Sequence, residues 1–260
     1  FSRLVLNLSP KPTPSNTALC ALPSFEAATR LVRDMRGALP GLSAFEVMWS
    51  DFMEAAQEIG HLRPAFSEAS PVYVLVETLG AQQEEEREQL ECFLSEALEA
   101  GSVNDVVVAQ SQADASRLWA YRETIGEMLG QLKPHAAFDV GVPMAAMDSF
   151  VQSMRDALQS RFPAQRHLFF GHLGDGNLHV LSGPHGCAES LQEVEEMVYE
   201  AVRAVRGSIS AEHGIGVIKK EFLHFTRSDA ELELMRNLKA MVDPAGILNA
   251  GRVFALTSPA

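Results

Sequence analysis

Three histidines and a glutamate fall in two short glycine-rich segments, Gly171-His172-Leu173-Gly174-Asp175-Gly176-Asn177-Leu178-His179 and Ser210-Ala211-Glu212-His213-Gly214-Ile215-Gly216. Asp175-Gly176 between apolar runs is a hairpin signal, because both central positions of a type I′ turn need positive φ. With those two residues as the turn, Gly174 pairs with Asn177, Leu173 with Leu178, and His172 faces His179. Directly opposed Cβ atoms of an antiparallel pair are about 4.5–5.5 Å apart, close enough for two imidazoles to hold one divalent ion. Two imidazoles and a carboxylate such as Glu212 are a common ligand set for a catalytic zinc or similar ion with open positions, which leaves His213 for acid–base work. The competing reading is a stacked or hydrogen-bonded histidine pair at a strand end, without metal.

A second candidate is Arg122. In the helical pattern over 113–130, Leu118, Ile125 and Leu129 lie at i, i+7 and i+11 of one face, and Arg122 stands at i+4 within that stripe. A guanidinium on an apolar face needs a carboxylate partner. Either it is internally paired or snorkels to solvent, or it anchors a substrate carboxylate through the bidentate geometry of arginine.

The elements that must position these groups alternate. Strand patterns at Leu4–Leu8, Thr17–Leu22, Leu42–Met48, Val72–Thr78, Val103–Gln110 and Ala137–Val142 precede the histidine hairpin, and helical patterns lie at 24–38, 50–59, 82–99, 113–130, 146–160, 188–206 and 228–241. In the helix at 188–206, Leu191, Val194, Val198, Val202 and Val205 form a core-facing stripe that stops at Gly207. Alternation combined with hairpins predicts an α+β fold, a largely antiparallel sheet with flanking helices, built from two ferredoxin-like units side by side.

Composition narrows the partners. With 260 residues, 47% of them hydrophobic, the chain can bury a substantial core. Its 21 basic and 34 acidic residues give a formal charge of −13, which disfavours nucleic acid or an anionic membrane surface. No run approaches the ~18 apolar residues of a membrane span. The opening Phe1-Ser2-Arg3, without Met or a signal pattern, reads as a piece of a longer polypeptide. Cys20, Cys92 and Cys187 are too few and too scattered for a disulfide framework and fit a reducing compartment, each as a small buried residue. No GxGxxG follows a strand and no GxxxxGK[ST] occurs, so a Rossmann or P-loop phosphate site is not expected.

Taken with Asp243-Pro244-Ala245-Gly246-Ile247-Leu248-Asn249, Trp119-Ala120-Tyr121-Arg122-Glu123 and Phe138-Asp139-Val140-Gly141-Val142-Pro143, the two histidine segments resemble the C-terminal domain of FAD-linked oxidases. These are the D-lactate, D-2-hydroxyglutarate and glycolate dehydrogenases of the vanillyl-alcohol oxidase superfamily, and the resemblance runs from about Thr17 onward. It implies that residues 1–260 are a substrate and cap domain, inactive alone, whose N-terminal FAD-binding domain lies outside this chain. By that resemblance His172, His179 and Glu212 are ligands of a divalent metal such as zinc, His213 is the general base, Arg122 anchors the substrate carboxylate, and Asn249 lies beside the FAD. The family's Asn-Pro-Gly-Lys ending is Asn249-Ala250-Gly251-Arg252 here. The implied reaction is oxidation of a D-2-hydroxy acid to a 2-oxo acid, with hydride passing to FAD and electrons to an electron-transfer flavoprotein, cytochrome or quinone. A homodimer and a bacterial cytoplasmic or mitochondrial matrix location fit the same resemblance. Ala137, Gly126 and Leu181 stand where the 2-hydroxyglutarate-oxidising relatives carry Lys, Thr and Asn, so a smaller or more apolar acid fits at least as well. Two other classes share the residues: a metal-dependent hydrolase using the same ion to activate water, and a non-catalytic ferredoxin-like binding module.

Overall fold

The β-branched and apolar runs become strands in a computed structural model, which describes residues 3–8, 15–39, 41–80 and 83–254. The strands are β1 (Ser15–Leu22), β2 (Leu42–Trp49), β3 (Val72–Leu79), β4 (Asp105–Val108), β5 (Ala136–Gly141), β6 (Arg166–His172) and β7 (Asn177–Gly183). Their order is β4-β1-β3-β2-β6-β7-β5. The helices are α1 (Phe25–Ala38), α2 (Ser50–Ile59), α3 (Gln83–Glu99), α4 (Gln112–Glu123), α5 (Ile125–Gln131), α6 (Met147–Arg161), α7 (Ala188–Ala204) and α8 (Asp229–Val242). None of the described helices is long and apolar enough to cross a membrane. Two compact units emerge, Phe1–Glu46 with Pro64–Ala120, and Val47–Arg63 with Tyr121–Ala260.

In the first unit β1 is antiparallel to both β3 and β4. Ser24 starts α1 by accepting a hydrogen bond from Ala27 N at 3.1 Å, and α1 then buries Ala28, Leu31, Val32 and Met35 along one stripe. The succession β1-α1-β2-β3-α3-β4, with α2 inserted before β3, is the ferredoxin-like order.

The second unit repeats that order only in part. β7 lies antiparallel between β5 and β6, and α6 and α7 follow β5 and β7 as the ferredoxin-like pattern requires. Where a fourth strand would flank β5, the chain leaving α7 makes a single bridge, in which Gly141 and Ser208 exchange backbone hydrogen bonds of 2.9 and 2.8 Å. It then opens into the loop that carries Glu212 and His213. The expected antiparallel α+β architecture holds, and the departure from it is where the candidate chemistry lies.

Four local expectations are corrected. The helix over 113–130 is broken at Thr124 into α4 and α5, where Thr124 is buried against Gly60 at the end of α2. Leu4–Leu8 forms no strand and is exposed, and residue 82 of the expected 82–99 helix lies outside the described residues. Cys92 and Cys187 are exposed, and only Cys20 is buried. The hairpin turn has four residues, Leu173–Gly176, so His172 pairs with Asn177 and His179 with Phe170. Asp175 Oδ1 accepts from Asn177 N at 3.0 Å, closing the turn through a side chain. Gly176 accommodates it at φ 77°, and its carbonyl accepts from Val142 N at 2.9 Å. A shift of two residues keeps every side chain on its expected face, since the strand period is two.

α2 is fastened to β6 by Asp51, whose carboxylate accepts from Phe169 N at 3.2 Å and from Arg155 Nε and Nη2 of α6 at 2.9 and 2.6 Å. Burial pushes its pKa up against the opposing pull of Arg155. Arg155→Ala is expected to cost about 2 kcal/mol, a fall in Tm of roughly 5 °C, because it strands a mostly buried carboxylate. Arg161→Ala removes a pair with Glu193 that is 58% and 39% exposed, and should cost under about 0.5 kcal/mol. Equal Tm shifts in thermal melts of the two variants would show that the Asp51 anchor carries no special weight.

Candidate functional site

β7 brings His179 to the centre of the second unit, directly between Phe170 on β6 and Asp139 on β5. All three side chains share one face, because directly paired residues of antiparallel strands point the same way. His172, two residues beyond Phe170, is therefore diagonal to His179 on that face, and their rings meet edge to face with centroids 5.4 Å apart. Phe170 stacks on His179 at 4.8 Å, and the Arg122 guanidinium lies 4.6 Å from the Phe170 ring centroid. The His213 ring reaches within 6.2 Å of His179.

These side chains line one cavity of about 340 Å³, with Arg122, His172, His179, Glu212 and His213 all in its wall. The remaining lining is apolar and includes Ile125, Leu129, Ala137 and Leu181. Ala137 and Leu181 are direct cross-strand partners. The residues that sequence spacing singled out as separate motifs are thus brought to one place, except Asn249. That residue occupies an exposed turn after α8 at φ 48°, in a segment held by Asp243, which accepts from Ile247 N and Leu248 N at 3.1 and 2.9 Å.

Burial, reinforced by the charges of Arg122 and His172, pushes the pKa of His179 down to about 4. At neutral pH it is an uncharged imidazole with a lone pair to offer. His213 is different, with 68% of its side chain exposed and Nδ1 3.9 Å from Asp139 Oδ2.

Asp139 was not singled out by sequence spacing, yet it organises the loop. It is 1% exposed and accepts from Glu212 N at 3.0 Å, His213 N at 2.9 Å and Ser210 Oγ at 3.3 Å. Burial alone would raise its pKa, but the two backbone donors and the nearby Lys219 ammonium outweigh it and hold the carboxyl at about 2. Lys219, itself buried, donates to the carbonyls of Asp139 and Ile209 at 3.1 and 3.0 Å and stands 3.7 Å from Asp139 Oδ2. The available signal for Asp139 was a charged residue in the middle of the apolar strand run Ala136–Gly141. Lys219 gave none. Asn177, opposite His172, is 2% exposed, and neither polar atom of its amide has a hydrogen-bond partner among the described residues.

The donor types expected for a metal are present in the cavity wall, but among the described residues no three His, Cys, Asp or Glu side chains are arranged to hold an ion. The His172 and His179 rings meet edge to face, and Glu212 is exposed.

Comparison with known proteins agrees with this architecture. Residues 11–253 match the family described as FAD linked oxidases, C-terminal domain. The chain is 36% identical over 255 residues to a D-2-hydroxyglutarate dehydrogenase of Xanthomonas citri pv. viticola, covering 96% of this chain and 53% of the relative. It is 37% identical over 244 residues to the mitochondrial D-2-hydroxyglutarate dehydrogenase of Bos taurus, covering 92% and 44%. The chain thus spans about half the length of these curated relatives. Among solved structures, p-cresol methylhydroxylase with substrate bound superposes with a TM-score of 0.68 at 11% identity, covering 96% of this chain and 55% of the other. The 4-ethylphenol oxidase of Gulosibacter chungangensis gives 0.60 at 14% identity, covering 97% and 56%. At such identities the likeness is one of fold, whereas the match over residues 11–253 decides membership: the chain belongs to the FAD-linked oxidase C-terminal domain family.

Proposed function

We propose that this chain is the substrate-binding part of a flavin-dependent dehydrogenase that oxidises a D-2-hydroxy acid to the 2-oxo acid. The observation that carries this reading is the convergence of Arg122, neutral His179 and exposed His213 on one cavity, in a chain whose relatives are D-2-hydroxyglutarate dehydrogenases. Arg122 is suited to grip the substrate carboxylate with two parallel hydrogen bonds. His213, on a loop pinned by Asp139, takes the hydroxyl proton as hydride leaves the α-carbon. FAD would be held mainly by the N-terminal part of such an enzyme, with Asn249 as this chain's contact to it, and would supply the hydride acceptor.

The donor set also suits a divalent ion such as zinc. His172, His179 and Glu212 would hold it, and it would supply Lewis acidity toward the substrate hydroxyl. Burial keeps His179 in the unprotonated form that a metal ligand requires.

The cavity wall favours a monocarboxylate. Arg122 is the one Lys or Arg among the residues lining it, and Ile125, Leu129, Ala137 and Leu181 offer a second carboxylate no partner. A D-2-hydroxy acid with a short or apolar tail meets those walls without stranding a charge.

Arg122→Lys in the complete enzyme is expected to raise KM for 2-hydroxy acids about ten- to a hundredfold, or ~1.5–3 kcal/mol, with little change in folding. Unchanged kinetics with a lowered Tm would make Arg122 a structural residue and move the substrate pocket elsewhere. For the metal, one divalent ion per chain is expected, with binding weakened at least ~10-fold in His179→Ala and in Glu212→Ala. Metal content equal to that of the parent chain in both variants would remove the ion from the proposal.

The pH dependence has a definite sign. His179 titrates near 4 when folded against 6.5 in the unfolded chain, so between those values the unfolded state binds more protons and stability rises with pH. The stabilisation is complete above about pH 6.5 and is lost as pH falls toward 4. Melting curves across that window should climb with pH in the parent chain and climb less steeply in His179→Gln. Parallel slopes would show that His179 is not held neutral by the fold.

A further inference from the structure

A second cavity of the same unit, of about 390 Å³, has a wall of one charge sign. Arg203, from the last turn of α7, and Arg206, just past its end, share the lining with His224 and Arg227 from the segment that precedes α8. No Asp or Glu lines it, although acidic residues outnumber basic ones by 34 to 21 in the chain. Arg30, Arg87, Arg117, Arg155, Arg161 and Arg166 each pair with a carboxylate, whereas Arg203, Arg206 and Arg227 form no ion pair among the described residues. Arg227 acts at longer range on Glu231, but that carboxylate is engaged at the α8 cap, where it accepts from Ser228 N and Oγ, both at 2.8 Å.

Helix electrostatics account for only part of this. A cation in the last turn of a helix complements its negative end, which suits Arg203. Arg227 stands just before Ser228, the cap of α8, at the positive end, where another positive charge is unfavourable. Arg206 follows the α7 cap at φ 56°, a left-handed position that helices usually fill with Gly or Asn. Its neighbour Gly207 is locked against β5, since a Cβ there would lie 2.4 Å from Gly141 O. The opposite wall is locked as well. Tyr199 of α7 packs on Phe222 and Phe225 with ring centroids 4.8 and 6.4 Å apart, and Arg227 Nη1 donates to Thr226 O at 2.7 Å. His224 Nδ1 donates to Glu221 O at 2.8 Å, which leaves Nε2 as the ring nitrogen a ligand can use.

Guanidiniums gathered around one concavity, with no carboxylate among them, repel one another and favour the entry of an anion. A cavity of this size suits a small molecule. Arginine pairs bidentately with phosphate oxygens, and the three acceptor oxygens of a phosphate group can be shared among several guanidiniums. We propose that this cavity binds the phosphate group of a soluble phosphate ester, with Arg203, Arg206 and Arg227 gripping its oxygens and the organic part resting against Phe225. The net charge of −13 disfavours the other source of the same chemistry, an anionic lipid surface. The site is separate from the substrate cavity, with which its lining shares no residue, and it does not depend on the flavin-dependent reading.

The test uses the complete enzyme. Its arginines are modified with phenylglyoxal in the presence and absence of millimolar inorganic phosphate, and each site is read by peptide mass spectrometry. Phosphate should slow the modification of Arg203, Arg206 and Arg227 at least about fivefold. Arg30, Arg33 and Arg117, with side chains 57%, 71% and 77% exposed, should react at an unchanged rate. The double substitution Arg203→Gln with Arg227→Gln should abolish the protection of Arg206 and leave the Tm without phosphate unchanged, because both side chains are exposed. Modification of all three arginines at the same rate with and without phosphate would overturn the site. Equal protection by sodium chloride at matched ionic strength would reduce the effect to screening and overturn it too. Three arginines already unreactive without phosphate would overturn it in favour of a contact with another part of the polypeptide. Protection by vesicles of phosphatidylcholine and phosphatidic acid, but not by phosphate, would overturn the soluble ligand in favour of a membrane surface.

Discussion

A buried carboxylate is tolerable only where donors converge on it, and at Asp139 they do. Two backbone amides, a serine hydroxyl and the Lys219 ammonium surround a side chain that is 1% exposed. Three of these donors belong to the stretch Ser210–His213, so the interaction that satisfies Asp139 is the one that fixes the loop. The same strand pairing that places Asp139 beside His179 therefore sets where Glu212 and His213 stand relative to the rest of the cavity. Lys219 adds the countercharge from within the fold, and it spends its other hydrogen bonds on the backbone carbonyls of Asp139 and Ile209. Removing Asp139 would leave a buried ammonium and two unanswered amides together.

The loop is available for this because the second unit gives up a strand. A regular fourth strand beside β5 would fill its edge with a ladder, each backbone group answered by another backbone group. Here a single bridge at Gly141 and Ser208 is followed by an irregular segment in which Ala211 N still donates to the Asp139 carbonyl at 3.3 Å, while the amides of Glu212 and His213 turn to the Asp139 side chain. Backbone in that position can present consecutive side chains to one cavity, which a strand cannot do, since its neighbours alternate between faces. That is how Glu212 and His213, adjacent in sequence, both come to line the same space.

What could be read from the sequence followed the periodicities. Apolar alternation and helical stripes placed the elements from β1 to α8 to within a few residues, because burial of one face decides both. The histidine face was legible for the same reason: a period of two places His172 and His179 together whether the turn holds two residues or four. The register itself was not, because Asp175 closes the turn through its own carboxylate and Val142, just past the end of β5, donates to Gly176, a long-range contact with no local signal. The break at Thr124 was hidden likewise, since it answers to packing against Gly60. Lys219 was invisible because its partner lies 80 residues away. In α8 the residues Leu234, Leu238, Met241 and Val242, at the spacing that usually marks a core, are exposed among the described residues.

The electrostatics of the cavity then couple its two ends. His179 is held neutral first by burial and next by the Arg122 charge, while Asp139 pulls the other way with a carboxyl held at about 2. On the proposed reading a substrate carboxylate binding to Arg122 would cancel the second of these influences and leave the first and third in place. The proton affinity of His179 would rise as the cavity fills, though burial keeps the ring largely uncharged at neutral pH. His213 instead stands on the loop, exposed, with Nδ1 3.9 Å from Asp139 Oδ2. The two imidazoles thus differ by where the sheet and the loop place them: the strand residue is buried and offers a lone pair, and the loop residue stands at the open side of the cavity beside Asp139.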